Sequence, residues 1–110
     1  MTSETTTTPP DSLRAEMVAR IRTTGHAYRG EVEQALLTTP RHEFLPNAEL
    51  TDAYDTFQAV VTHRFNDGRS LSCASAPWLV AAMLDQLDVH PGMRVLEIGA
   101  GVRHEVALCK

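Results

Sequence analysis

A short apolar run that ends in a glycine loop, VLEIGAG, stands close to the end of this 110-residue sequence. Residues 94–98 predict a buried strand, and Gly99 and Gly101 allow the backbone to turn sharply directly after it. A strand of this kind normally lies inside a parallel sheet whose neighbours cover it on both faces. Only nine residues follow Gly101, too few for a crossover connection and a second parallel strand. The sequence is therefore expected to form the beginning of an α/β sheet domain.

The first 40 residues predict a disordered tail and two amphipathic helices. Residues 1–10 are rich in threonine and close on two prolines, so they are too polar to form a core. Asp11 or Ser12 can cap a first helix, which is expected to end at Gly25. A second, shorter helix is stopped by Pro40. The apolar residues at helical spacing are expected to pack against a core: Leu13, Met17, Ile21, Val32, Ala35 and Leu36.

The segment between the second helix and the glycine loop predicts a loop, a hairpin and a third helix. The stretch 40–46 is bracketed by prolines and is expected to be an ordered loop rather than a helix. Residues 57–65 and 69–73 predict two strands joined by an Asn-Asp-Gly turn. Ser75 can cap a third helix that carries Pro77 in its first turn. The predicted buried face of that helix consists of Leu79, Met83, Leu84 and Leu87.

Composition argues against several classes of partner and site. Fourteen acidic and ten basic residues give a net charge of −4 without a basic cluster, so neither nucleic acid nor an anionic membrane is an expected partner. No apolar run reaches the ~20 residues of a membrane-spanning helix, and the amino terminus lacks the features of a secretory signal. Cys73 and Cys109 predict reduced thiols, and the five histidines show no metal-ligand spacing and are expected at the surface. These features predict a cytoplasmic protein without a metal site.

The glycine loop carries the first functional signal. Glu97 places a carboxylate at the end of an apolar strand, which is costly unless a polar partner compensates it. A cationic ligand would supply that partner, whereas a phosphate would be repelled. Gly99 and Gly101 let a ligand approach the backbone closely, and a helix start beyond them would offer free N–H groups. From these residues alone, a plain tight turn with an exposed Glu97 remains an open alternative.

Longer stretches make a family resemblance clear. PGMRVLEIGAG resembles motif I of the class I S-adenosylmethionine-dependent methyltransferases. ALLTTPRHEFLP, AYDT and GRSLSCASAPWLVAAMLDQLDVHPGMRVLEIGAG are similar, in that order, to the amino-terminal part of the protein-L-isoaspartate O-methyltransferases. The similarity runs from about residue 32 to residue 101. Motif I alone would indicate only the superfamily, and the series of stretches indicates the family.

The resemblance implies an α/β fold and a methyl transfer reaction. We expect an amino-terminal helical and hairpin region, followed by the first strand and glycine loop of a truncated Rossmann-like sheet. The expected divisions are a disordered tail at 1–10, a substrate-side region at 11–76 and the start of the cofactor domain at 77–110. The implied substrate is a protein or peptide with an isoaspartyl carboxylate. The implied cofactor is S-adenosylmethionine, held by Glu97, Gly99, Ala100 and Gly101.

The resemblance also implies a serine beside the transferring methyl group. In the family this serine belongs to an S-A-P segment, which here gives Ser75. Alignment on the preceding Gly-x-Ser-Leu-Ser pattern would give Ser72 instead, because this chain carries two extra residues between that pattern and the S-A-P segment. Pro77 and the helix after it favour Ser75. A role for Ser75 as a helix cap alone remains an alternative.

The sequence departs from the family directly after motif I. The family continues with a small residue, a glycine and an aromatic residue, where this chain has Val102, Arg103 and His104. Arg103 would crowd the cofactor and place a positive charge opposite its sulfonium, so the 110-residue chain is expected to have little or no activity. We expect a cut or frameshifted methyltransferase, whose bare strand edge can pair with a second chain. A non-enzymatic fragment or interaction module, and a related methyltransferase for peptides or small molecules, are the alternatives.

Overall fold

The computed structural model of the protein describes residues 8–24 and 28–98. It shows a mixed arrangement of helices and a small two-stranded antiparallel sheet. No helix within these residues is long and apolar enough to cross a membrane. The elements are α1 (Pro10–Arg22), α2 (Gly30–Thr38), a 3₁₀ helix (Arg41–Phe44), α3 (Leu50–Ala53), β1 (Val60–Arg64), β2 (Ser70–Ala74) and α4 (Pro77–Leu87).

Helices α1, α2 and α4 share one hydrophobic core. Met17 and Ile21 of α1 are buried as their spacing predicts, and Leu13 is partly buried against them. Burial of each large apolar side chain contributes roughly 1.5–3 kcal/mol to folding. The part of the chain between α2 and α4 completes this core with Leu45, Ala53, Tyr54 and Ala74. The apolar residues buried on the three helices are Met17, Val18, Ile21, Val32, Leu36, Val80 and Ala81.

Helix α1 begins at Pro10, and neither Asp11 nor Ser12 caps it. Its N-cap is Pro9, which makes no side-chain hydrogen bond. Proline suits the first helical position because its φ is already fixed and its missing N–H would have had no partner there. Asp11 instead lies in the first turn, where its carboxylate accepts a hydrogen bond from Arg14 Nη2 at 2.6 Å. A negative charge in this turn also interacts favourably with the helix dipole.

The ends of the first two helices follow different signals. The C-cap of α1 is Thr23, and the predicted stop at Gly25 lies outside the described residues. Helix α2 has Thr39 as its C-cap and ends directly before Pro40, as predicted. Proline prevents the helix from continuing because it lacks the N–H that the next turn requires.

Two single-turn helices were not predicted. The stretch 40–46, expected to contain no helix, includes the 3₁₀ helix Arg41–Phe44, so that expectation is wrong. Leu50–Ala53 forms the equally short α3. Helices of four residues complete about one turn, so the sequence offers no repeat from which a period can be recognised.

The predicted hairpin is confirmed, with shifted bounds. β1 covers Val60–Arg64 rather than 57–65, and β2 covers Ser70–Ala74 rather than 69–73. Gly68 in the connecting turn has a φ of +91°, which favours glycine because a side chain is strained there. The ladder is irregular on either side of His63. The paired residues are Val60 with Ala74, Val61 with Cys73, His63 with Ser72 and Arg64 with Ser70.

Helix α4 buries a different face from the predicted one. Val80 and Ala81 are fully buried. Of the four predicted residues, Leu84 is partly buried against the core, whereas Leu79, Met83 and Leu87 are 39%, 46% and 53% exposed. Apolar residues occur on both sides of this helix, so their periodicity cannot select the buried face. The small Ala81 allows a close approach, because the distance between packed helices depends on the side chains at the contact.

The two ends of α4 are set by backbone geometry. The predicted cap, Ser75, is not the N-cap; this position is taken by Ala76, without a side-chain hydrogen bond, and Pro77 follows as the first helical residue. At the other end Asp88 adopts a left-handed conformation with φ 57° and ψ 47°. A residue in the left-handed conformation ends a helix because it directs the following backbone away from the helix axis.

Arg29 ties the start of α2 to the end of α4. Its backbone N–H donates to Asp85 Oδ1 at 3.1 Å, and its Nη1 donates to the carbonyl oxygen of Val89 at 3.1 Å. The guanidinium also lies within 3.4 Å of Asp85 and 3.3 Å of Asp88. A cation at a helix C-terminus interacts favourably with the dipole of that helix. The last turn of α4 is therefore held by a residue that precedes α2.

The strand predicted at residues 94–98 is absent, and that prediction is wrong for this structure. These residues have neither helical nor strand structure, and Leu96 and Ile98 are 85% and 89% exposed. A strand forms only when a neighbouring strand pairs with its backbone. In the part of the chain that the structure describes, the sheet consists of β1 and β2 alone.

Candidate functional site

Ser75 lies in the link between β2 and α4, whereas Ser72 lies within β2. Ser75 is half-buried and follows β2 directly, one residue after Ala74, whose pairing with Val60 closes the ladder. Its carbonyl oxygen accepts a hydrogen bond from Arg41 Nη2 at 3.0 Å. Ser72 is also half-buried but belongs to β2 itself. The backbone of Ser75 is thus held by a side chain, and that of Ser72 by the strand ladder.

Arg41 is fully buried and joins two segments of the site. Its Nε donates to the carbonyl oxygen of Ala53 at 2.6 Å, and its Nη2 donates to that of Ser75. An arginine keeps its charge in proteins, so these are charge-assisted hydrogen bonds. Arg41 therefore fixes the end of α3 against the β2–α4 link.

The hydroxyl group of Tyr54 is the second centre of hydrogen bonding. His42 Nδ1 lies 2.8 Å from it, and Arg14 Nη1 donates to it at 3.2 Å. Arg14 Nε also donates to the carbonyl oxygen of Leu37 at 2.8 Å. Burial acts to lower the pKa of Arg14, but its hydrogen bonds and charge interactions with Tyr54 and Asp11 outweigh burial and raise that pKa. The arginine therefore stays charged while it connects α1 with α2 and with Tyr54, the residue that follows α3.

The stretches PRHEFLP and AYDT therefore meet in space. The first supplies Arg41 and His42, and the second supplies Tyr54 and Thr56, whose carbonyl oxygen accepts a hydrogen bond from the backbone N–H of Trp78 at 3.2 Å. Both stretches contribute to the family resemblance, but no role was predicted for these residues. The available signal was an Arg-His pair between two prolines, separated by Glu43 from the apolar Phe-Leu.

The predicted cofactor residues are described only in part. Glu97 is exposed and lies in the irregular segment after a turn at Gly92, which has a φ of +88°. Gly99, Ala100 and Gly101 lie outside the described residues. The carboxylate of Glu97 has the chemistry to accept hydrogen bonds from hydroxyl groups or to face a cation.

The described histidine and cysteine side chains differ in their exposure to solvent. His63 and His90 are exposed as predicted, but His42 is half-buried beside Tyr54, so the prediction is wrong for His42. Cys73 is an exposed free thiol. Within residues 8–24 and 28–98 no three His, Cys, Asp or Glu side chains come together as metal ligands. His26, His104 and Cys109 lie outside the described residues.

Comparisons with known proteins agree with one another. The family model described as Protein-L-isoaspartate(D-aspartate) O-methyltransferase matches residues 12–110. A protein-L-isoaspartate O-methyltransferase of Methanopyrus kandleri is 38% identical over 95 residues, which are 86% of this chain and 39% of the relative. One from Methanothermobacter thermautotrophicus is 34% identical over 95 residues, 86% of this chain and 41% of that protein. One from Methanococcus aeolicus is 42% identical over 84 residues, 76% of this chain and 36% of that protein.

No solved structure matches the chain. The chain spans 36–41% of the length of these three relatives. Because the family model matches nearly all of the sequence, this chain belongs to the protein-L-isoaspartate(D-aspartate) O-methyltransferase family.

Proposed function

We propose that this chain forms the amino-terminal part of a protein-L-isoaspartate O-methyltransferase. The proposed reaction transfers a methyl group from S-adenosylmethionine to the isoaspartyl carboxylate of a protein or peptide. The observation that carries the proposal is the family match over residues 12–110. The relatives are named for this activity. The hydrogen bonds of Arg41, which join a family stretch to the S-A-P segment, support it.

We assign to Ser75 the task of holding the substrate carboxylate, with Ser72 as the alternative. An isoaspartyl carboxylate has a pKa of about 4 and is ionised at neutral pH, so the reaction requires no strong base. The hydroxyl of Ser75 can donate a hydrogen bond to this carboxylate and keep it aligned. Alignment of two bound reactants can lower a barrier by ~7–11 kcal/mol. The fixed backbone of Ser75, held through Arg41, suits that task.

In the proposed enzyme, residues 77–110 open a Rossmann-like cofactor domain and residues 11–76 form the substrate side. When bound, S-adenosylmethionine supplies an electrophilic methyl group, and we assign its binding to Glu97, Gly99, Ala100 and Gly101. We also propose a cytoplasmic location. The exposed apolar side chains of α4 and of residues 95–98 support the fold proposal, since a sheet packed on them would remove this apolar surface from water.

The 110-residue polypeptide is expected to methylate an isoaspartyl peptide at less than about one hundredth of the rate of the Methanopyrus kandleri relative. Arg103 would displace the cofactor, and misplacement of a reactant by about 1 Å can cost 10²-fold in rate. The measurement is transfer of label from S-adenosylmethionine, with the matching aspartyl peptide as the control. A rate within about tenfold of the relative would contradict the expected weak activity.

A chimaera can distinguish the two serines. Residues 1–101 of this chain would be joined to the part of the Methanopyrus kandleri relative that follows its own glycine loop. Ser75→Ala is expected to lower kcat about 10- to 100-fold, since a hydrogen bond to a charged group contributes ~1.5–3 kcal/mol. Ser72→Ala is expected to leave kcat nearly unchanged. Equal unfolding midpoints for the two variants provide the control, and the opposite order of rates would assign the role to Ser72.

A further inference from the structure

A groove of about 500 Å³ lies beside β1 and is lined by two different kinds of wall. Residues 58–62 and Arg64 form the first wall, so the groove follows the strand. Residues 44–49, together with Asp52 and Asp55, form the second. Its volume falls within the ~300–1,000 Å³ range of ligand-binding clefts. The groove is therefore large enough to accept a ligand along the strand.

The strand that borders this groove has one paired edge. The sheet in the described part of the chain contains two strands, so β1 pairs with β2 on one side. No backbone hydrogen bond within the described ranges joins residues 59–64 to residues 45–49. In an antiparallel ladder the backbone groups face the two edges alternately, so part of the β1 backbone faces away from β2. An edge of this kind is a template on which an extended chain can add as a further strand.

The wall opposite β1 is acidic. Glu49, Asp52 and Asp55 line it, and none of them forms an ion pair with a described residue. Asp55 is fixed in place because its Oδ1 accepts a hydrogen bond from the backbone N–H of Phe57 at 3.1 Å. Arg64 carries the opposite charge, and its Nη1 donates to the carbonyl oxygen of Gly68 at 2.9 Å. Three carboxylates against one guanidinium favour a positively charged occupant.

We propose that this groove docks an extended polypeptide segment that carries lysine or arginine. The segment adds to the outer edge of β1, and every second side chain reaches towards Glu49, Asp52 and Asp55. Backbone hydrogen bonds supply affinity in such strand addition, and the alternating side chains supply selectivity. The five residues of β1 extend over ~16 Å, which suits an added strand of about the same number of residues. This docking goes beyond the proposed methyl transfer, because it requires neither S-adenosylmethionine nor an isoaspartyl residue.

Three blocked eight-residue peptides test the proposal against the ¹⁵N-labelled 110-residue protein. The first alternates lysine with valine and threonine, the second replaces each lysine by glutamate, and the third keeps the lysines but has two central prolines. The first is expected to shift the amide resonances of residues 59–64 in a saturable manner. The other two are expected to bind at least tenfold more weakly, because one reverses the charge and the other removes backbone donors from the added strand.

A matched pair of double variants tests the acidic wall. Glu49→Gln with Asp52→Asn is expected to weaken binding of the lysine peptide about fivefold, the size expected for exposed charge pairs. Glu16→Gln with Glu31→Gln removes the same charge elsewhere and is expected to change binding less than twofold. Equal unfolding midpoints would show that both variants are folded.

Several results would overturn the proposal. They are equal binding of the glutamate or proline peptide, equal effects of the two double variants, and absence of binding by the lysine peptide at millimolar concentration. Amide shifts of residues 59–64 that depend on protein concentration alone would identify a second copy of the chain as the occupant instead. None of these measurements involves methyl transfer, so their failure leaves the proposed function untouched.

Discussion

Replacement of Arg41 by alanine is expected to lower the free energy of unfolding by about 3–5 kcal/mol. The change removes charge-assisted hydrogen bonds, among them those to the carbonyl oxygens of Ala53 and Ser75, and leaves a cavity at a fully buried position. Urea denaturation followed by circular dichroism measures the effect. Arg20 provides the matched control, because its side chain is exposed and its ion pair within the described residues is a 3.6 Å contact with Glu16. Arg20→Ala is expected to cost less than about 0.5 kcal/mol.

A methionine at position 41 separates the hydrogen bonds from the filled volume. Arg41→Met keeps much of the side-chain volume and is expected to cost about 2–3 kcal/mol through the lost hydrogen bonds alone. Unchanged stability would also have a physical explanation, because burying the charge of Arg41 carries a desolvation penalty that the apolar methionine avoids. If Arg41→Met proved as stable as the native chain, the hydrogen bonds of Arg41 would only offset that penalty.

Val80→Asp is expected to abolish cooperative folding, with a cost of at least about 4 kcal/mol. Val80 is fully buried in the core shared by the three helices, where a carboxylate has no partner to replace water. Leu79→Asp, one residue away, is expected to cost less than about 1 kcal/mol because Leu79 faces outward. Thermal unfolding of both variants provides the measurement. If Leu79→Asp were the more damaging change, the face that the sequence predicted would be the buried one.

The elements that the sequence predicted well are those fixed by local signals. Pro40 marks the end of α2, and the Asn-Asp-Gly turn marks the hairpin, because proline and glycine act on the backbone regardless of distant residues. The predicted buried face of α4 was wrong, because this helix has apolar residues on both sides. Packing against α1 and α2 determines which side is buried. The prediction also failed at residues 94–98, because a strand depends on a neighbour that local sequence does not specify.

The residues of the candidate site were predicted from family resemblance. The hydrogen bonds and backbone geometry that hold these residues in place were not predicted. Ser75 was selected from an S-A-P segment, yet the expected cap is displaced to Ala76 because Pro77 occupies the first helical position. The burial of Arg41 could not be anticipated, since arginine is normally exposed and its partners here are backbone carbonyls. Every residue carries a carbonyl, so such partners leave no signature in a sequence. Only the fold shows which ones an arginine reaches.

The hydrogen bonds of Arg29 join parts of the chain that are made at different times during synthesis. Its partners Asp85 and Val89 follow it by 56 and 60 residues. Helices α1 and α2 are both complete by residue 38, so they can associate while the rest is still being made. The end of α4 can join them only after Val89 has left the ribosome, and closing so long a segment slows folding. Until then, the core face of α1 and α2 has no α4 to cover it and is open to chaperones.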